Sequence, residues 1–93
     1  MSNSLLKDIQ DILIAIQVKQ SKYKYTFIKE IKFNQKTKNI FMCFSLVKYH
    51  KELRYDEFTK KRKRVNIKDD SVRGNLASIL SYLVDELKGF DTT

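Results

Sequence analysis

Apolar and polar positions recur with two different periods along this chain, and the changes of period divide it into three stretches. From about Ser4 to Lys19, Leu5, Ile9, Ile12, Leu13 and Ile16 fall on one helical stripe, with Ser4 able to cap and Asp8 well placed near the positive end. The second half also reads as a strand, because Ile12, Ile14, Ile16 and Val18 alternate with Leu13, Ala15, Gln17 and Lys19 and are β-branched. The two helical turns before it favour helix. In that case Ile14 and Val18 fall away from the main stripe and call for a second contact, such as a partner subunit.

From Tyr23 the period becomes two. Tyr23, Tyr25, Phe27, Ile31 and Phe33 share one parity and Lys22, Lys24, Thr26, Glu30 and Lys32 the other, which predicts a half-buried strand with one basic face. Most of the aromatic stripe is expected in the core. The polar stretch 34–39 (NQKTKN) predicts a turn, and Ile40 to Tyr49, apolar on both parities for most of its length, a central strand. A further turn is expected near His50 to Glu52. After it, Leu53, Tyr55 and Phe58, the run Lys60 to Arg64, and then Val65 and Ile67 suggest two short strands joined across the basic run.

The last stretch returns to helical spacing. Asp69, Asp70 and Ser71 offer N-cap oxygens, and Val72, Leu76, Ile79, Leu80, Leu83, Val84 and Leu87 make an amphipathic stripe that predicts a helix over 71–88. Gly89 is placed to end it, with Phe90 folding back on the last turn. The expected fold class is α+β: an N-terminal helix, a three- to four-stranded antiparallel sheet and a C-terminal helix packed on the sheet, in one small domain spanning 1–93.

Charge turns this pattern toward function. Sixteen of the nineteen basic residues and only four of the eleven acids lie in 19–68, an excess of twelve positive charges in a chain of net +8. The same segment holds four of the five tyrosines and five of the six phenylalanines. Cations interleaved with aromatics suit a phosphate backbone and stacked bases. The candidate nucleic-acid-binding residues are Lys22, Lys24, Lys32, Lys36 and Lys38 along the first strand, Tyr49 and Tyr55 near the expected turns, and Lys60, Lys61, Arg62, Lys63 and Arg64. Two other readings compete for the five adjacent cations: a solvated guard on a sheet edge, or a nuclear-import signal.

The remaining chemistry is sparse. His50 lacks companions at metal-ligand spacing, so no metal or other cofactor is called for. Cys43 and His50 lie seven residues apart and face opposite ways on a straight strand, which disfavours a nucleophile pair. No two carboxylates form an acid/base pair, and the two glycines, Gly74 and Gly89, make no phosphate loop. The reading is therefore non-enzymatic. A lone cysteine excludes a disulfide framework and suits a reducing, cytoplasmic compartment. No membrane span is expected, since no uncharged apolar run approaches roughly 18 residues; Ile12 to Val18 has seven and includes Gln17. Abundant Lys, Ile, Asn, Phe and Tyr without Trp or Pro fits an AT-rich genome such as a phage or mobile element.

The helix–strands–helix order resembles the double-stranded-RNA-binding domain in topology. That family sets lysines at the start of its second helix, to meet phosphates. Here the matching stretch is Asp69, Asp70, Ser71, Val72 and Arg73, so no site residue carries over. The leading expectation is a small protein that binds single-stranded DNA or RNA with little regard for sequence. The alternative is an accessory subunit of a larger polymerase, primase, helicase or nuclease, docked through the end helices. A second copy of the chain is a further candidate partner.

Overall fold

The structure, a computed structural model, describes residues 2–91, so residues 1, 92 and 93 of the expected domain lie outside the described residues. The order is α1 (Ser2–Lys19), β1 (Tyr23–Asn34), β2 (Asn39–Asp56), β3 (Lys61–Gly74) and α2 (Leu76–Asp91). The strands form one antiparallel sheet in the order β1-β2-β3, with β2 in the centre as its two-sided apolar pattern requires. The fold is the expected α+β arrangement, with three strands rather than four.

One mismatch of lengths shapes the molecule. At about 3.3 Å per residue, β2 has a contour of nearly 60 Å, so it curves and twists within a molecule 51 Å long, whereas helices rising 1.5 Å per residue reach only about 25 Å. The helices can cover less than half of β2. Their cover coincides with Phe44 to His50, the part of β2 that pairs with β1 on one side and β3 on the other. The buried core sits there: Ile9 and Ile16 from α1, Phe44 and Leu46 from β2, and Leu76, Ile79 and Leu83 from α2. α2 lies across β2 and β3, while α1 packs chiefly on α2 and touches the sheet at β1.

Beyond this body the strands continue as two-stranded ribbons in opposite directions. Arm 1 is the β1–β2 hairpin over 30–43, and arm 2 is the β2–β3 hairpin over 51–66. They explain the flat shape, 51 × 38 × 16 Å, and a radius of gyration of 16.7 Å. A compact domain of this size would give about 13 Å.

Both arms turn on the same device. Lys38 N–H donates to Asn34 O and Lys60 N–H to Asp56 O, each at 2.8 Å. The Asn34 side chain accepts from the N–H of Lys36 and Thr37, and Asp56 Oδ1 from that of Phe58. Lys38 and Lys60, the residues closing each turn, have φ of 61° and 58°. The sequences match in kind, Asn-Gln-Lys-Thr-Lys against Asp-Glu-Phe-Thr-Lys. Asn and Asp suit the first position because their side chains bond the backbone two residues on.

Several local expectations change. His50 to Glu52 is not a turn but the middle of β2, and the second turn lies at 57–60, so Lys61 to Arg64 belong to β3. Asp69, Asp70 and Ser71 are also strand. The cap of α2 is Asn75, whose Oδ1 accepts the N–H of Ser78 at 2.9 Å. Ser71 to Gly74 stay in the sheet because they pair with Phe44 to Val47, where Val72 covers Leu46. Ser4 lies inside α1, and α2 continues through Gly89. That last turn is held because Phe90 packs against the Tyr23 ring at 6.4 Å. Residues 12–19 are helix, and Ile14 and Val18 are exposed. Ile31 and Phe33, expected in the core, are exposed because arm 1 carries them past the helices.

Candidate nucleic-acid interface

Alternation along the strands and the register divide the sheet into two faces. The helix-covered face carries Tyr23, Tyr25 and Phe27, then Leu46, Lys48 and His50, with Val72 and Asp70 opposite. Lys48, His50 and Asp70 on this face each have a polar partner. Lys48 Nζ donates to Glu86 at 2.8 Å and lies 4.3 Å from the centre of the Tyr23 ring. Tyr25 donates to the same Glu86 oxygen, and Tyr82 donates to Asp70. Burial is the main cause that pushes both phenols above their ordinary range, and the neighbouring carboxylates add to it.

His50 is clamped within this face at the root of arm 2. Its Nδ1 lies 2.6 Å from Asp69 and its Nε2 2.8 Å from Glu52. With both carboxylates ionised, the two contacts require both ring nitrogens to donate, so the site favours the imidazolium form. The hydrogen bond to Asp69, then that to Glu52, raises its pKa above the ordinary value. Glu52, bonded by His50 and Arg54, is lowered. A β-bulge opposite Lys48 and Tyr49 leaves Asp69 as an extra residue of β3, which brings its carboxylate to the ring. The two carboxylates sit at opposite ring nitrogens and do not converge. Among the described residues, no group of three His, Cys, Asp or Glu side chains is placed to hold a metal ion.

The other face has no helix over it. It carries Lys24 and Lys32 from β1, Lys51 from β2, and Arg62, Arg64, Lys68 and Arg73 from β3, with Glu30 as its one carboxylate on these strand positions. Glu30 binds Lys32 at 3.0 Å and Arg73 at 3.1 Å, and these contacts lower its pKa. Arg73 also donates to the Cys43 sulfur at 3.2 Å. Lys24, Lys51, Arg62, Arg64 and Lys68 make no ion pair among the described residues. Tyr49 stands mid-strand among them, half-buried, with Lys24 and Lys68 beside it in the register. An open concavity of about 700 Å³ is lined by Ser21, Lys22, Lys24, Tyr49, Lys51, Glu52, Leu53 and Arg64, four cations against one carboxylate. A second one, lined by Thr26, Val47, Tyr49, Asn66 and Lys68, adjoins it across Tyr49.

The residues singled out in the sequence thus separate. Lys22, Lys24, Tyr49 and Arg64 come together at the concavity, and Tyr55 and Arg62 extend the same face along arm 2 as a register pair. Lys32 lies on that face in arm 1. Lys36 and Lys38 sit in the turn of arm 1 and Lys60 in that of arm 2. Lys61 and Lys63 point to the opposite face, where Lys63 approaches Asp56 at 3.5 Å. The run 60–64 is therefore split by strand alternation and is not one cationic tip. Lys51, Lys68 and Arg73 belong to the open face and were missed. Their signal was parity, readable once β2 and β3 are taken as single long strands.

α2 has no Lys or Arg before Lys88, so the phosphate-binding helix start of the double-stranded-RNA-binding domain has no counterpart here. No protein-family model, no curated protein and no solved structure matches the chain.

Proposed function

We propose that this chain binds single-stranded DNA or RNA across the helix-free face of its sheet, without enzymatic activity and largely without reading sequence. One observation carries the reading: seven cations against one carboxylate on the strand positions of an open face, with Lys24, Lys51, Arg64 and Lys68 nearest Tyr49, while Lys48 and His50 on the covered face are paired with carboxylates. Unpaired cations repel one another and gain from polyanion contact. A phosphate backbone following β2 meets Lys24, Lys68, Lys51 and Arg64 in turn, and a base can stack on Tyr49 or on the exposed Tyr55. No helix of the described residues is long and apolar enough to cross a membrane. The free thiol of Cys43, beside Arg73, accords with a reducing compartment such as the cytoplasm.

Arm 2 favours a second reading. A two-stranded ribbon fits the major groove of a duplex, and Lys61 to Arg64 give this one cations on both faces. Titration of the purified chain with labelled poly-pyrimidine DNA, the matching RNA and a duplex, each at several salt concentrations, separates the readings. Single-strand binding weakens with salt at a slope near −0.7 per phosphate contact, roughly −3 to −4 for five contacts. Tighter binding of the duplex supports insertion of arm 2. No binding by the chain alone at physiological salt overturns both and leaves the accessory-subunit reading.

A further inference from the structure

Ile31, Phe33, Ile40 and Met42 form two cross-strand pairs on the helix-side face of arm 1, Ile31 with Met42 and Phe33 with Ile40. All four are exposed, Ile31 to 68% and Ile40 to 72%. An isolated two-stranded ribbon is marginal in water, and an apolar stripe along one is a contact awaiting cover. α1 offers a second bare patch: Ile14 and Val18, one turn apart, the latter 82% exposed. The chain cannot bring the two together within itself. Gln17 Nε2 donates to the Tyr23 carbonyl, so the end of α1 lies at the start of β1, and Ile31 is eight residues, about 26 Å, farther along that strand.

We propose that arm 1 of one copy lies on α1 of a second copy, and reciprocally, in a two-fold symmetric dimer. Two features favour a second copy over a different protein. The first is charge. Arm 1 carries Lys36 and Lys38 in its turn, with Lys29 at its root, whereas α1 carries Asp11 one turn before Ile14 and Asp8 nearly a turn before that, next to Lys7, which shares the stripe of Ile14 and Val18. Asp8 and Asp11 thus offer partners of opposite sign to the lysines of the arm, as a reciprocal contact on one chain requires. The second is area. Each contact joins four arm side chains to two of the helix, and symmetry doubles it to twelve. At roughly 100 Å² of apolar surface apiece this is about 1,200 Å², where stable interfaces begin. The basic sheet faces stay clear of the contact and open to nucleic acid.

Sedimentation of the wild type over a range of concentrations, together with disulfide trapping, tests this. Val18→Cys and Ile40→Cys are prepared separately in a Cys43→Ser background and mixed under mild oxidation. The expected result is a reversible dimer and a disulfide formed only between the two different variants. Ile40→Asp and Val18→Asp, both at exposed positions, are each expected to raise the dimer dissociation constant more than about tenfold, since a carboxylate would enter an apolar contact. Their melting curves, taken where the protein is monomeric, should match the wild type. A monomer at every concentration overturns the proposal. So does Ile40→Cys linking only to itself, which would mean arm-to-arm pairing, or a dimer insensitive to both Asp variants.

Discussion

Arm 1 and arm 2 leave opposite ends of the same central strand, and each closes on an Asn or Asp that bonds the next backbone amides and a Lys at positive φ. Their surfaces nevertheless diverge. Arm 1 displays Ile31, Phe33, Ile40, Phe41 and Met42, while arm 2 displays Arg54, Lys61, Arg62, Lys63 and Arg64 with Leu53, Tyr55 and an almost wholly exposed Phe58. A turn fixes register and direction but says nothing about what the ribbon touches. On the readings proposed above, arm 1 suits apolar docking and arm 2 suits polyanions.

The largest effect should therefore come from the body and reach both arms. Leu83 is fully buried beneath the junction, and Leu83→Ala should lower the unfolding free energy by about 2–5 kcal/mol. Ile40→Ser in arm 1 should cost under about 0.5 kcal/mol in the monomer, because its side chain is already in water. Denaturant melts of both variants check this. Equal losses would mean that arm 1 is part of the core and that the division into body and arms is wrong.

The next largest effect concerns binding. Tyr49→Ala should weaken single-strand binding by about 1–3 kcal/mol if a base stacks there, with the salt slope unchanged because no phosphate contact is lost. Phe41→Ala, also on the open face but in arm 1, should leave affinity within about twofold, under 0.5 kcal/mol. Similar losses for both would extend the binding face along the whole of β2 and erase the contrast between the arms.

The helices and the central strand were legible because each buries a stripe: Leu76, Ile79 and Leu83 on one side and Phe44 and Leu46 on the other impose their period on the sequence. The arms bury nothing, and there the pattern misleads. His50, Lys51 and Glu52 look like a turn to anyone assuming that a strand must have a core beneath it. They remain in β2 because His50 is satisfied by Asp69 and Glu52, and Arg54 by Glu52. The same assumption put Ile31 and Phe33 inside. Only the repeated Asn/Asp-Gln/Glu-x-Thr-Lys stretch at 34–38 and 56–60 marks both turns from sequence, and with them the parity that splits the basic run.

That split yields a sharper test of arm 2. Arg62 and Arg64 lie on the open face and Lys61 and Lys63 on the other. Replacing both arginines with Ser should make the salt slope shallower by about 1.4, and replacing both lysines should leave it nearly unchanged. If the two pairs behave alike, both faces of the ribbon meet phosphate, as insertion into a duplex groove requires. The ordering of the two slopes, measured on the same labelled strand, thus distinguishes a flat binding face from an inserted ribbon.

The smallest effect sits at the arm roots, which are built from different materials. Arm 1 leaves the body beside the Phe27–Phe44 stack, at 5.7 Å between ring centres, with no titrating clamp in that ring pair. Arm 2 leaves it at His50 between Asp69 and Glu52. The His50 pKa is raised in the folded chain, so its contribution is complete below its ordinary value of 6.5 and is lost as pH rises through the higher folded value. Glu52 is lowered, so its contribution is complete above its ordinary 4.5 and is lost as pH falls through the lower folded value. The clamp is therefore tightest between those two ordinary values. Raising the pH from 6 toward 9 should speed amide exchange in 51–56, after correction for the intrinsic rate, more than in 30–34. His50→Gln should remove the difference, because a neutral amide keeps a hydrogen bond but has no charge to lose. An equal response of both arms, or one that persists in His50→Gln, would trace the pH dependence to the whole sheet and not to the root of arm 2.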